Sequence, residues 1–371
     1  MSSNIEEQIK AVEEEISKTD YNKATQQHIG RLKAKIARLK EELEKRRSSG
    51  GTGKGYSVKK SGNATVALVG FPSVGKSTLL NKLTDANSDV GSYNFTTLDV
   101  IPGILEHDHA KIQVLDLPGL VAGASKGKGR GREVLSVVRS ADLIALVLDV
   151  FETHAEVLVR ELEDSGLRLN QHPPDVVIYR HERGGVTIKS TVELTKIDEE
   201  VAKTVVMEYG YINADVVIRE DITEDQLIDV LVGNRIYSNS VVILNKVDLV
   251  DEERVRALLV ELSEWDPIPV SAENDQGLEE LTEAIFERLD LISVYMKPQR
   301  QEADLDEPMI VRRDSTIGEV CDQIHRGFRP NFRYAHVWGK SAKFPGQTVG
   351  LEHKVKDGDI ISIIIRRNGS A

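Results

Sequence analysis

Residues 64–77 read ATVALVGFPSVGKS, an apolar run that passes directly into the pattern G-x-x-x-x-G-K-S. This predicts a buried strand over 64–70 that turns through a glycine-rich loop into a helix. Few chains can do this outside a nucleotide-binding α/β fold. The glycines let backbone N–H groups approach phosphates, and the helix N-terminus favours an anion. Gly70, Phe71, Pro72, Ser73, Val74, Gly75, Lys76, Ser77 and Thr78 are therefore the expected phosphate-binding residues. Lys76 is placed to reach the β- and γ-phosphates and Ser77 to ligate Mg²⁺. A tight strand–helix turn with an incidental lysine is the plainer alternative.

Three further motifs follow in order and weaken that alternative. Asp116, Leu117, Pro118 and Gly119 (DLPG) end a strand expected over 111–119. Asp116 can hold Mg²⁺ through water, and the Gly119 amide can contact the γ-phosphate. Asn245, Lys246, Val247 and Asp248 (NKVD) end another strand, expected over 241–248. A carboxylate at Asp248 can accept from guanine N1–H and the 2-amino group together. Adenine offers neither donor, which favours GTP over ATP. Asn245 is expected to fix the base loop and the Lys246 stem to cover the base. Ser271, Ala272 and Glu273 end a strand expected over 268–273, where backbone amides can meet the guanine oxygen. Ligands of open α/β sheets bind at such carboxyl ends.

Strands over 64–70, 111–119, 143–150, 241–248 and 268–273 alternate with helices over 75–86, 131–140, 251–264 and 277–292. This is the pattern of a mostly parallel sheet. The interval from 150 to 241 is too long for one crossover. Strand-like runs at 176–181, 185–190 and 214–220, with a helix at 198–209, predict an inserted α+β subdomain over 165–238. At the start, Ile5, Ile9, Val12 and Ile16 form one apolar stripe; Ile29, Leu32, Ile36, Leu39 and Leu43 form another. With Thr19-Asp20 as a turn they predict a helical hairpin, followed by the linker SSGGTGKG (48–55). After Pro298, strands at 308–313, 334–339 and 359–367 and a helix at 316–326 suggest a small β-grasp module. The expected domains are 1–60 (hairpin and basic linker), 61–164 with 239–295 (nucleotide domain), 165–238 (insertion) and 296–371 (β-grasp).

Between the phosphate loop and DLPG lies SYNFTTLDVIPG (92–103). Thr97, with Thr96 second, is the residue expected to close on Mg²⁺ when a γ-phosphate is present. The Gly- and Lys/Arg-rich loop 119–133 suits a segment ordered by the nucleotide. Leu120 stands where many GTPases carry a water-orienting glutamine. Leucine cannot hydrogen-bond that water, so slow intrinsic hydrolysis is expected and no catalytic side chain is assigned. Arg130 and Arg132 are read as solvated, or at most phosphate or partner contacts.

The chain has 371 residues and a net charge of −12. Residues 1–60 carry +5 and 304–371 carry +2, which leaves −19 on 61–303. A general polyanion binder is excluded, but the basic ends could still meet nucleic acid. A polar start, the lack of a long apolar run and the single Cys321 point to a cytoplasmic protein without membrane spans, disulfides or CxxC sites. Cys321 reads as core. His107 and His109 flank Asp108 in a turn, where solvation is the simpler reading than a metal. Trp338 with Phe332 and Tyr334, among Arg312, Arg313, Arg326, Arg329, Arg333, Lys340 and Lys343, could suit RNA.

GFPSVGKS, YNFTTLDVIPG, DLPGL, GASKGKGRGRE and NKVD together resemble the developmentally regulated GTP-binding protein (DRG) family of Obg-related, translation-factor-class GTPases. The resemblance runs nearly end to end. RLNQHPPD (168–175), REDIT (219–223) and DVLVGNRIY (229–237) resemble the family's insertion, which looks like a ribosomal-protein domain. The C-terminal module resembles a TGS domain. The short linker and the end at Ala371 give the size of an archaeal member. The resemblance implies an α/β P-loop GTPase fold with that insertion, hairpin and TGS domain. It implies binding and hydrolysis of GTP with Mg²⁺, ribosome or ribosomal RNA association, and a dedicated regulatory protein. Leu120 fits a class with a hydrophobic residue in place of glutamine. Potassium-using relatives carry Asn or Asp at the position of Ser73, so K⁺ is a candidate cofactor that this serine does not imply. A monomer is expected. A ribosome- or RNA-binding adaptor with structural nucleotide is the alternative reading.

Overall fold

The computed structural model describes residues 2–20, 22, 25–48, 60–84, 100–120, 131–298 and 301–366. Thr96, Thr97, Arg130, the Arg132 side chain, and most of the 48–55 linker and the 119–133 loop lie outside the described residues. The chain forms two compact units: Met1–Gly55 with Gly166–Tyr237, and Tyr56–Ser165 with Ser238–Ala371.

The first unit opens with helices α1 (Ser2–Lys18) and α2 (Gln26–Ser48). Ile5 and Ile9 of α1 cluster with Ile36, Leu39 and Leu43 of α2, so the pair is antiparallel.

The second unit begins with β1 (Ala64–Gly70), α3 (Lys76–Leu83), β2 (Ile101–His107), β3 (Ala110–Asp116), α4 (Gly131–Val138), β4 (Leu143–Asp149) and α5 (Ala155–Asp164). Residues 108 and 109 make the β2–β3 turn at positive φ. Strand β2 begins within the segment read from sequence as a switch loop, sharing only residues 101–103 with it. It pairs antiparallel with β3, while β1 pairs parallel with β3 and β4.

The chain then returns to the first unit as β5 (Leu167–Leu169), β6 (Val176–Arg180), β7 (Val186–Ser190), α6 (Glu199–Glu208), β8 (Ala214–Ile218) and α7 (Glu224–Val232). Strands β6, β8 and β7, in that order, form a three-stranded sheet. Asp198 caps α6, and a capping box of Thr223 and Gln226 starts α7. The helical hairpin packs here: Ala34 of α2 is fully buried among Val201, Val205 and Leu227. Gln27 donates to Thr204 at 2.9 Å, and Lys33 pairs with Asp225 at 2.8 Å. Asp229, buried in α7, accepts from Arg168 and from Arg235.

The second unit resumes with β9 (Ile236–Asn245), α8 (Glu252–Glu261), β10 (Ile268–Pro269) and α9 (Leu278–Leu289). The central sheet runs β10-β9-β4-β1-β3-β2. Its buried strands are continuous apolar runs because helices cover both faces. Leu79, Leu80, Leu281 and Ile285 fill one side; Val137, Val138, Leu158 and Leu162 are buried in α4 and α5. Each such side chain contributes roughly 1.5–3 kcal/mol of burial. The strand expected over 268–273 is only two residues long. Ser271–Ala272–Glu273 instead opens a turn closed by reciprocal backbone bonds between Ser271 and Gln276. The helix expected over 277–292 stops at Leu289, because Asp290 takes the left-handed conformation at φ 54°.

That stop starts a second sheet earlier than the sequence suggested: β11 (Leu291–Met296), β12 (Met309–Arg312), α10 (Ile317–Ile324), β13 (Phe332–Trp338), β14 (Gln347–Val349) and β15 (Ile360–Ile365). Its order is β12-β11-β15-β13-β14. A capping box of Thr316 and Glu319 starts α10, which packs Ile317, Val320 and Cys321 against Val294, Ala335, Val337 and Ile361. Cys321 is core, and burial pushes its thiol up to about 11. The sheet is joined to the nucleotide domain: Leu291 and Ile310 belong to the core that holds Leu289. Asp142, at the start of β4, accepts from Lys60 at 2.7 Å, from the Thr65 amide at 2.8 Å, and from Arg312.

Candidate nucleotide site

The site is built at the carboxyl ends of β1, β3, β4 and β9. Strand β1 ends at Gly70, and the loop that follows holds Ser73 at φ 66° and Gly75 at φ 92°. Gly75 is demanded by space as well as by φ. A Cβ there would lie 2.4 Å from Asn245 Nδ2. Lys76 begins α3 and is 7% exposed. Its ammonium donates to the Phe71 carbonyl at 2.8 Å and the Gly70 carbonyl at 3.2 Å. Burial lowers its pKa, opposed by the nearby Asp116 carboxylate. An ammonium held in a loop of backbone groups, with one buried carboxylate nearby, suits an anionic phosphate chain.

Ser77 Oγ donates to Asp116 Oδ2, so the two side chains named for the metal converge although 39 positions separate them. Asp116 is itself 7% exposed. A hydroxyl and a carboxylate side by side are hard oxygen donors that fit Mg²⁺. Gly119 crosses close to the phosphate loop, and a Cβ there would come within 2.7 Å of the Pro72 nitrogen. The next amide, of Leu120, donates to the Gly70 carbonyl at 3.1 Å. The Leu120 side chain is buried at 2% exposure.

Asn245 ties three segments together. Its Nδ2 donates to the Val74 carbonyl at 2.9 Å, and its Oδ1 accepts from the Ala272 amide at 3.1 Å. Lys246, at φ 63°, donates to the Ser73 carbonyl at 2.7 Å. Asp248 stands exposed in the short 3-10 turn Val247–Leu249. Ser271 and Ala272 are buried, whereas Glu273 is exposed, so only the backbone of this motif faces the loop through Ala272.

The chain is similar to known proteins along nearly its whole length. Residues 65–180 match the family described as 50S ribosome-binding GTPase (MMR_HSR1), 183–291 match the C-terminal region of that domain, and 292–365 match the TGS domain. A GTP-binding protein of Methanocaldococcus jannaschii is 58% identical over 98% of this chain and 93% of its own length. Developmentally-regulated G-protein 3 of Arabidopsis thaliana is 44% identical over 98% of this chain and 99% of its own. Developmentally-regulated GTP-binding protein 2 of Bos taurus is 42% identical over 96% and 98%.

The chain belongs to the developmentally regulated GTP-binding protein family. It is a GTP-binding protein with a P-loop GTPase (G) domain and a C-terminal TGS domain. The TGS match spans 292–365 and begins where β11 has just begun. Among the described residues no helix is long and apolar enough to cross a membrane.

One residue of this DRG-family site escaped the motif reading. Asp149 ends β4, is 4% exposed, and accepts from Lys246 Nζ at 2.5 Å through Oδ2. Its Oδ1 accepts from the amides of Phe151 and Glu152 at 2.9 and 2.8 Å. The only signal was an aspartate closing the run LIALVLD, a strand end like those of Asp116 and Asn245. His107 and His109 gather no ligand set, since no group of metal-ligating side chains forms among the described residues.

Proposed function

We propose that this protein hydrolyses GTP to GDP and phosphate in a Mg²⁺-dependent switch cycle and acts on the ribosome in the cytoplasm. The observation that carries the reading is the convergence of Lys76, Ser77, Asp116 and the Asn245–Asp248 loop on one end of one sheet. Lys76 would exchange its two carbonyl partners for β- and γ-phosphate oxygens. Backbone amides of residues 73–78 would cradle the same phosphates. Ser77 would ligate Mg²⁺ directly, Asp116 through water, and Thr97 would complete the set. Held by these residues, such an ion would supply positive charge to offset that of the phosphates.

Asp248 would accept from guanine N1–H and the 2-amino group, with the Lys246 stem along the base and the Ala272 amide toward the guanine oxygen. The Gly119 amide would meet the γ-phosphate, so that the chain beyond Leu120 responds to hydrolysis. The Leu120 side chain can neither accept nor donate, which supports slow turnover unless a ribosomal or protein partner supplies the missing group. The ribosome-binding description of the family matched by residues 65–180, together with the family's TGS domain, supports the ribosome as target.

The test is ribosome pelleting with protein loaded with GDP or a non-hydrolysable GTP analogue, paired with phosphate release with and without ribosomes. Preferential pelleting of the analogue form and faster phosphate release on ribosomes are expected. Equal pelleting in both states without stimulated turnover would replace the switch by an adaptor with structural nucleotide.

A further inference from the structure

Strands β11 and β12 each serve two cores. Side chains alternate across a strand, and here the alternation divides neighbours between the two domains. Ile292, Val294 and Val311 lie in the TGS core with α10. Leu291 and Ile310, one step away, lie in the nucleotide core with Leu289 and with Ala64 at the start of β1. The register agrees: Ile292 stands opposite Val311, Ser293 opposite Ile310, and Leu291 opposite Arg312. Leu291, Ser293, Ile310 and Arg312 therefore share the side of this strand pair that faces the G domain.

No linker separates the two domains. Helix α9 ends at Leu289, Asp290 alone follows it, and β11 starts at Leu291. Arg313, just past β12, closes the same corner. Its amide donates to the Asp290 carbonyl at 2.7 Å, and its guanidinium pairs with the Asp290 carboxylate. Domains of one chain generally meet through rather polar surfaces and an exposed linker, and then move relative to each other. A wall shared by two apolar cores, entered through one residue, has neither freedom: turning it would open the packing on both sides.

Polar bonds fix what the apolar wall leaves free. The Asp142 side chain, 9% exposed, stands just before β4. Its Oδ2 accepts from the Thr65 amide of β1 at 2.8 Å, and its Oδ1 accepts from Lys60 at 2.7 Å and from Arg312 of β12. One carboxylate thus ties the starts of two G-domain strands to the edge strand of the TGS sheet. Asn63 adds a second point: its Oδ1 accepts from the Lys111 amide at 2.8 Å, and its Nδ2 reaches the Ile310 carbonyl at 3.4 Å. Strands β1 and β4 begin at these contacts, are buried along their whole length, and end at Gly70 and Asp149 beside the nucleotide residues.

We infer that the TGS sheet and the G domain are one rigid body in every nucleotide state, with Asp142 as the tie that sets their angle. A γ-phosphate that rearranges loops at the carboxyl ends of the strands leaves the TGS sheet where it is relative to Gly70 and Asn245. The state of the nucleotide is displayed at that end alone, and the TGS sheet is a fixed arm rather than a moving one. The inference goes beyond the switch reading and does not need hydrolysis or a ribosome. It asks only that GDP and a GTP analogue both bind, so its failure is distinguishable from a failure of that reading.

The test is a spin-label distance measurement on the full chain. Labels are placed through Val260→Cys on α8 and Phe344→Cys in the TGS domain, both exposed positions, while the native Cys321 is buried. The distance is read with GDP and with a non-hydrolysable GTP analogue, in the labelled parent and with Asp142→Ala or Arg312→Met added. Fluorescent GDP affinity measures an intact fold. The expected result is one narrow distance in the parent that moves by less than about 2 Å between nucleotides, below the scale of a domain rearrangement. Asp142→Ala should broaden the distribution and leave GDP affinity unchanged. A larger nucleotide-dependent shift in the parent would overturn the rigid body. A distribution in Asp142→Ala as narrow as the parent's would overturn the tie. Should Asp142→Ala fail to fold, Arg312→Met, which keeps the Lys60 and Thr65 bonds, decides that point by the same reading.

Discussion

Lys246 Nζ lies 2.5 Å from Asp149 Oδ2, so the ends of β9 and β4 are tied by an ion pair whose acidic partner is buried. The pair fixes the Lys246 ammonium, and the second Asp149 oxygen fixes the turn beside it. Asp149→Asn should weaken binding of fluorescent GDP about ten-fold, the scale of about 1–2 kcal/mol for a pair with one half-exposed member. An unchanged Kd would mean that the lysine is positioned by Ser73 alone.

Asp248→Asn should exchange base preference. The amide nitrogen can donate to the 2-oxo group of xanthine, whereas it opposes the 2-amino group of guanine. Competition of GDP and XDP against a labelled nucleotide reads this directly. A variant that still prefers GDP would remove Asp248 from base recognition.

Leu120 is buried, and its side chain is surrounded by core rather than solvent. Leu120→Gln is therefore expected not to restore a faster GTPase. It should cost about 1–3 kcal/mol for an amide buried without partners, read as a lower melting temperature, with turnover no higher than the parent's. Accelerated phosphate release would show that this side chain can swing to the γ-phosphate.

Glu224 is 3% exposed at the start of α7, with Gln26 and Lys33 beside its carboxylate. Lys33 Nζ stands 3.8 Å away and gives its closer contact to Asp225. Burial raises the Glu224 pKa, with Lys33 opposing. A raised carboxyl pKa means that the folded unit binds the proton more tightly than the unfolded chain. The stabilising contribution is present at low pH and is lost as pH rises through the folded value. Glu224→Gln should accordingly melt higher than the parent at neutral pH, with the difference narrowing on acidification. A difference that does not vary with pH would assign the effect to packing.

The sequence made the central sheet and its ligand end readable because buried parallel strands are unbroken apolar runs and the four motifs sit at their ends. What escaped it depends on contacts between distant positions. Strand β11 was hidden because Leu289 and Leu291 read as one apolar helix, and only the left-handed Asp290 separates them. Asp149 carries no spacing signal, since its partner lies 97 positions away. The packing of Ala34 on α6 and α7 could not be read from the hairpin's own stripe, which accounts for only one of its two apolar contacts.

That last contact bears on how the chain is made. The hairpin leaves the ribosome ahead of the G domain, yet the surface that buries Ala34 arrives only with residues 166–237. The first half of the G domain is synthesised in between. Units generally fold as they emerge, from the N-terminus onward, but the face of α2 that carries Ala34 is covered only by a segment more than a hundred residues later. Deleting the hairpin would leave the nascent insertion to emerge beside nothing, with Val201 and Val205 open to the first apolar surface they meet.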